Sequence, residues 1–110
     1  MILNLYWKDI EGNSYRLGKL YKTDKYYFDI DREELKKATH KGCFGIGEIN
    51  ILEDNHSSDT LFEFFKNRIP ENSPEVLEFF GLDEYDEMEI LKYTRAELNT
   101  DRYYVEESRE

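Results

Sequence analysis

The sequence predicts an α+β domain, built as a strongly bent antiparallel sheet or partial barrel with short helices packed at one side. Three observations lead there. Runs before residue 31 alternate apolar and polar side chains with period two, as strands do when one face lies on a core. Residues 59–95 carry capping side chains at helical spacing instead. A last β-prone run near residue 100 then offers a strand to close the sheet. A chain of 110 residues sustains one hydrophobic core and no more, and no low-complexity linker divides it, so residues 1–110 are expected to form a single domain.

Residues 1–7 read as the first strand, 9–13 as a turn in which Gly12 is free to take a positive φ, and 14–21 as the second strand of a hairpin. Residues 22–25 form another polar turn, and 26–30 a short strand. Asp31 is placed to cap a helix, Glu34 to complete a capping box, Leu35 and Ala38 to form the apolar face, and Gly42 to stop it. Residues 44–51 alternate around Gly45 and Gly47, which predicts a strand with room for a bulge or close approach of another backbone. Residues 54–58 read as the turn that ends it.

Helices follow. Thr60 with Glu63 predicts a capping box, ahead of a helix carrying Leu61, Phe62, Phe65 and Ile69 on one face and finishing near Pro70. Ser73 caps the next, with Pro74 in its first turn and Gly81 just beyond Phe80. Asp86 with Glu89 caps a third, whose acidic first turn and Arg95 near the end both suit the helix dipole. Residues 100–106 predict the closing strand.

Composition bounds the function. A hydrophobic fraction of 39%, with 15% aromatic, predicts a compact fold despite 36% charged residues. No run approaches the roughly 20 apolar residues of a membrane span, and the first ten residues lack the layout of a signal peptide. A cytoplasmic protein without membrane contact is expected. The lone Cys43 has no partner for an internal disulfide and no basic cluster beside it in sequence, so a buried, inert thiol is expected. The net charge of −10 is uneven: residues 1–58 hold ten Asp/Glu against nine Lys/Arg, and residues 59–110 fifteen against six. Such a surface repels phosphate backbones, so no direct nucleic-acid binding is expected. Basic protein partners fit it better, and plain solubility is served equally.

The residues that carry chemistry are sparse. His40 and His56 lie far apart, and neither stands at metal-ligand spacing with Cys43, so no metal site is expected. No serine sits in a nucleophile elbow, and the carboxylates are accounted for by caps and polar helix faces. The run from Gly42 to Gly47 lacks the Lys-Ser/Thr of a phosphate loop. No catalytic residue and no cofactor are expected. In Tyr26-Tyr27-Phe28 and Tyr103-Tyr104, strand geometry turns neighbouring rings to opposite faces, leaving one inside and one out.

The segment Leu61-Phe62-Glu63-Phe64-Phe65-Lys66-Asn67-Arg68-Ile69-Pro70, with Gly18-Lys19-Leu20 and Tyr26-Tyr27-Phe28-Asp29 upstream, resembles the N-terminal lobe of HipA-like proteins. The run Glu89-Ile90-Leu91-Lys92-Tyr93-Thr94-Arg95, followed by Thr100-Asp101, is similar to the form of that lobe found ahead of HIRAN domains. Gly45-Ile46-Gly47-Glu48-Ile49-Asn50 replaces the L-S-L-P stretch usual in the kinase-linked lobe. The kinase core of HipA proteins lies beyond this lobe, and in split toxin–antitoxin systems a small protein similar to the lobe binds the toxin kinase and restrains it. The resemblance therefore implies a non-catalytic regulatory module, antitoxin-like, whose protein partner is a HipA-type kinase. The alternative it implies is an accessory to HIRAN-type DNA-processing proteins, or an acidic mimic of nucleic acid. Candidate contact residues are Trp7, Asn67 and Arg68, because large aromatic and arginine side chains favour interface hot spots. Arg68 has a second reading, as a cap on helix carbonyls.

Overall fold

Side-chain alternation builds three consecutive strands, β1 (Ile2–Lys8), β2 (Ser14–Lys22) and β3 (Tyr26–Ile30), which pair antiparallel with their neighbours. Two more come from later in the chain, β4 (Asn55–Ser58) against β3 and β5 (Tyr103–Glu107) against β1. The sheet order is β4-β3-β2-β1-β5, so the two latest strands form the edges and the sheet stays open. Four short helices join them: α1 (Arg32–His40), α2 (Glu63–Lys66), α3 (Pro74–Phe80) and α4 (Glu87–Thr94). This is the expected α+β architecture, an unclosed sheet with helices. The structure is a computed structural model that describes residues 1–109.

One face of the sheet supplies the core. Leu3, Leu5 and Trp7 from β1, Leu20 from β2, Tyr26, Phe28 and Ile30 from β3, and Val105 from β5 join Leu35 and Ala38 of α1, Phe65 of α2, and Met88 and Leu91 of α4 in one cluster. The opposite face carries tyrosines in cross-strand pairs. Tyr6 stacks on Tyr104 at 5.1 Å and Tyr21 on Tyr27 at 5.3 Å between ring centroids. Such pairs hold neighbouring strands together where no helix covers them.

A bulge sets the register. Leu5 faces Gly18 but Tyr6 faces Arg16, so Leu17 is the extra residue, and its side chain is buried. Gly18 is required there. A Cβ at this position would lie 2.7 Å from Cζ of Phe28 and closer still to the carbonyl oxygen of Asp29.

The β1–β2 turn is organised by Asp9, whose Oδ1 accepts from the amides of Glu11 and Asn13, both at 2.9 Å, and whose Oδ2 accepts from the Tyr15 hydroxyl at 2.9 Å. Gly12 takes the positive φ, 91°, expected of it. Burial by itself pushes the Asp9 carboxyl up, but these hydrogen bonds outweigh it and hold the group below its ordinary value.

Local capping chemistry behaves as expected in three helices. Asp31 accepts from Glu34 N at 3.2 Å, Ser73 from Val76 N at 3.2 Å, and Asp86 from Glu89 N at 3.2 Å. Gly81 closes α3 with φ 68°. The side chains of Glu34 and Glu89 do not return to their caps; they pair with Lys37 and Lys92 at 3.0 and 3.2 Å.

Three expectations are corrected. Residues 44–51 form turns, not a strand, because Gly45 and Gly47 adopt φ of 105° and 53°, which no extended chain can hold. Ile46 and Ile49 still reach the core, paired across a tight turn by an isolated bridge. The strand lies a little later, where a turn was expected: polar Asn55–Ser58 is drawn in by the free edge of β3. Thr60 caps nothing, since α2 begins at Glu63 and Phe62 offers no side-chain cap. Glu48 supplies one from the glycine loop, accepting from Phe64 N at 2.7 Å.

Two outcomes test this frame. Gly18→Ala should lower stability by about 1–3 kcal/mol, the range for forced overpacking, read as a shift in the denaturation midpoint. Because the Asp9 carboxyl is held below its ordinary value near 3.8, the stability it contributes is present above that pH and lost as the pH falls through the lower native value. Asp9→Asn should therefore flatten the acid limb of thermal unfolding relative to the unsubstituted protein; an unchanged limb would refute the role given to Asp9.

Candidate protein-docking surface

The three contact residues expected from sequence do not come together. Trp7 is only 7% exposed and packs in the core beside Tyr15, so its ring is not available as a surface anchor. That correction follows from the alternation of β1, where Leu3, Leu5 and Trp7 share the inner face. Asn67 is exposed at the end of α2, where its own amide donates to Glu63 O at 3.0 Å. Arg68 is buried. Its Nη1 donates to the carbonyl of Ala96 at 2.7 Å, its Nη2 pairs with Asp101, and its guanidinium lies over the rings of Phe64 at 4.5 Å and Tyr103 at 5.0 Å. The carbonyl it satisfies belongs to the loop after α4, not to its own helix.

Tyr103 extends this cluster to the glycine loop by donating to Gly45 O at 2.5 Å, with Cys43 Sγ 3.8 Å from its hydroxyl. Cys43 is buried, as expected, and donates weakly to Gly45 O at 3.7 Å. His40 is exposed at the end of α1, and His56 lies on β4 with Nε2 2.9 Å from Glu53 O. Among the described residues no group of three His, Cys, Asp or Glu side chains converges to hold a metal ion.

The titratable groups share one tendency. Burial, then hydrogen bonding to Glu87 at 2.7 Å, pushes the Tyr26 hydroxyl well up. Burial and then the neighbouring Cys43 do the same to Tyr103. Tyr15 and Tyr27 are raised first by their bonds to Asp9 and Asp24. Tyr21 and Tyr85 are raised first by burial. Asp24 is lowered by bonds from Thr23 and Tyr27, and Lys37 and Lys92 are raised by Glu34 and Glu89. Every shift, like that of Asp9, carries its group away from neutral pH.

What remains exposed and organised is α3. Its positions Val76, Leu77, Phe79 and Phe80 form an apolar stripe, yet the helix buries no residue fully. Phe79 is 81% exposed and meets Phe80 edge to face at 5.0 Å; Phe80 stacks on Tyr93 of α4 at 6.2 Å, and Tyr93 is itself 56% exposed. The other strongly exposed apolar residues, Ile10, Phe44 and Leu52, stand on three separate turns. Half-buried Phe80 links the two exposed rings, Phe79 and Tyr93, into one patch. Burying a phenylalanine side chain fully is worth about 1.5–3 kcal/mol, so this patch holds unused binding capacity.

The surround is acidic. Residues 69–91 hold eight Asp/Glu and no Lys or Arg. The connection from α3 to α4 borders a concavity of about 760 Å³ whose lining includes Asp83, Glu84, Asp86 and Glu87, with Tyr26, Tyr85 and a single cation, Lys22. The sequence locates the acidity but not the aromatic patch, because a stripe such as that of α3 looks the same whether or not another element covers it.

The contrast between the two aromatic sites is measurable. Arg68→Met should cost about 3 kcal/mol of stability, since it orphans the Ala96 carbonyl and leaves Asp101 without its cation. Phe79→Ser should change stability by less than about 0.5 kcal/mol. Denaturant titration of both variants checks the pair, and a large loss from Phe79→Ser would mean that the α3 ring serves the core.

Among the described residues, no helix is long and apolar enough to cross a membrane. Comparison of the chain with protein-family models, with curated proteins and with solved structures yields no match in any of the three.

Proposed function

We propose that this chain is a cytoplasmic, non-catalytic protein-binding module that regulates its partner through the face formed by α3 and α4. One observation carries the reading: α3, a helix with no fully buried residue, presents Phe79 to solvent and joins it through half-buried Phe80 to exposed Tyr93 of α4, inside an acidic surround. Contiguous exposed aromatic surface of this kind is what protein interfaces use as their anchor. Among the described residues every resolved pKa shift carries its group away from neutrality, which supports the non-catalytic part. The HipA-like motifs point to a toxin-type kinase as the first partner to try, with antitoxin-like restraint as the outcome. A second reading, an acidic mimic that occupies a DNA-binding groove, is favoured by the eight carboxylates of residues 69–91.

Site-specific photocrosslinking in the host tests the proposal. A crosslinker at Phe79 or Tyr93 should capture one predominant protein, while the same group at Phe44 or Leu52 should not. The purified pair should then form a complex that Phe79→Ser weakens at least about tenfold, the size of loss expected at an interface anchor. Competition of that complex by duplex DNA would favour the mimic. Equal capture at all four positions, or capture at none, would sink the docking face.

A further inference from the structure

The charges around α3 are distributed in a way that identifies the chemistry of its occupant. Resting on the docking face just proposed, we infer that the face takes a basic amphipathic segment of the partner protein. The segment sets an apolar stripe against Phe79, Phe80 and Tyr93 and its lysines or arginines against the carboxylates around them.

Elsewhere in the chain most acidic side chains are matched, Glu53, Glu63 and Glu107 excepted. Asp31 pairs with Arg16 at 3.0 Å and Glu34 with Lys37 at 3.0 Å, while Arg32 pairs with Asp54 at 2.6 Å. Asp9, Asp24 and Asp29 accept from tyrosine hydroxyls instead, at 2.9, 2.9 and 3.1 Å. Among the described residues, Glu71, Glu75, Glu78, Asp83 and Glu84 have no Lys or Arg within ion-pair distance. The cations nearby are engaged elsewhere: Arg68 pairs with Asp101, Lys92 pairs with Glu89 at 3.2 Å and lies over the Tyr93 ring at 5.1 Å, and Lys22, which borders the same concavity as Asp83 and Glu84, lies over the Tyr26 ring at 4.9 Å. Unmatched carboxylates are thus concentrated where the exposed aromatic rings are.

Solubility does not require that placement, because charge anywhere on the surface keeps copies apart. Recognition does. Like charges held together raise the energy of the free face, and a cationic segment relieves that repulsion while its apolar side covers the rings. The same field rejects other occupants of an aromatic patch. Anionic lipid, nucleic acid and a second copy of this chain, at net charge −10, are all repelled.

The probe is a synthetic amphipathic helix of leucine and lysine at helical spacing, labelled and titrated into the full chain by fluorescence anisotropy. A matched peptide has glutamate in place of every lysine. The lysine peptide should bind, and its affinity should fall at least about tenfold between 50 and 300 mM salt, as an interaction between exposed charges does. The glutamate peptide should not bind. Phe79→Ser should weaken binding at least about fivefold, and so should the charge-neutral quadruple variant E75Q, E78Q, D83N and E84Q, whereas Leu52→Ser should leave it unchanged. These side chains are exposed, so each variant should melt as the parent does, which separates lost binding from lost folding. Failure of the lysine peptide to bind, or binding that survives either the Phe79 or the charge variant, overturns the inference. So does a crosslinked partner whose contacting segment is not basic, and that result would leave the docking face standing; capture of no partner would remove the docking face itself.

Discussion

The buried guanidinium of Arg68 is the interaction on which the second half of the fold depends. A four-residue helix such as α2 has no stability of its own, since helices this short do not propagate in water. Arg68, two residues beyond its end, reaches Ala96 O and Asp101, which fixes the loop after α4 and the approach to β5. The rings of Phe64 and Tyr103 cover the cation, and Tyr103 in turn holds Gly45 of the glycine loop. Residues 64–68 and 96–103 therefore meet at one side chain, and the glycine loop joins them through Tyr103. The desolvation of that charge is offset only because its hydrogen bonds and its aromatic cover are both present. The same anchorage explains how Arg95 and Ala96 sit at φ of 60° and 55°, a conformation that costs roughly 1–2 kcal/mol for each side-chain-bearing residue. Arg95 O gains the amide of Val105 at 2.8 Å in return, and Ala96 N donates to Thr94 Oγ1 at 3.1 Å.

With that half fixed, the chain divides its carboxylates into two populations. Those on and beside the sheet are given hydroxyl or cationic partners: Asp9 by Tyr15, Asp29 by Tyr21, Glu87 by Tyr26. Those of α3 and its connection, apart from Asp86 which caps α4, have no such partner. The first population stabilises the turns and strand pairs, and its hydrogen bonds hold the tyrosines protonated at any ordinary pH. The second contributes nothing comparable to the fold. A carboxylate that does not stabilise the native state is free to be used in binding, and these border the aromatic patch of Phe79, Phe80 and Tyr93.

How much of this could be read beforehand depends on whether the deciding contact is local. Ser73, Pro74 and Gly81 specify α3 by bonds made within a single turn, and the structure repeats them residue for residue. The inner face of β1 to β3 follows from alternation, which also places Trp7 inside with Leu3 and Leu5; reading it as a surface anchor set side-chain type above position. The failures are all non-local. The sign of φ at Gly45 and Gly47 is invisible to a pattern of apolar and polar residues. Asn55–Ser58 has weak strand character and pairs because β3 offers unsatisfied backbone groups. The cap of α2 comes from Glu48, sixteen residues before the amide it accepts from. Of the docking face, the acidity was legible and the exposed rings were not, since exposure is a property of what fails to pack.

An uncovered aromatic cluster exposes any protein to self-association, because apolar surface attracts apolar surface without discrimination. Adding a single polar residue would remove the hazard, yet α3 keeps Phe79 in water, where it contributes little to folding. The carboxylates supply the discrimination the rings lack. Two copies approaching through this face bring like charges together as the rings near contact, so the attraction at short range is opposed at longer range. A cationic partner meets no such barrier and is drawn in before the rings engage. Specificity then arises from rejection as much as from fit, with one set of side chains keeping copies of the chain apart and admitting a partner of opposite charge.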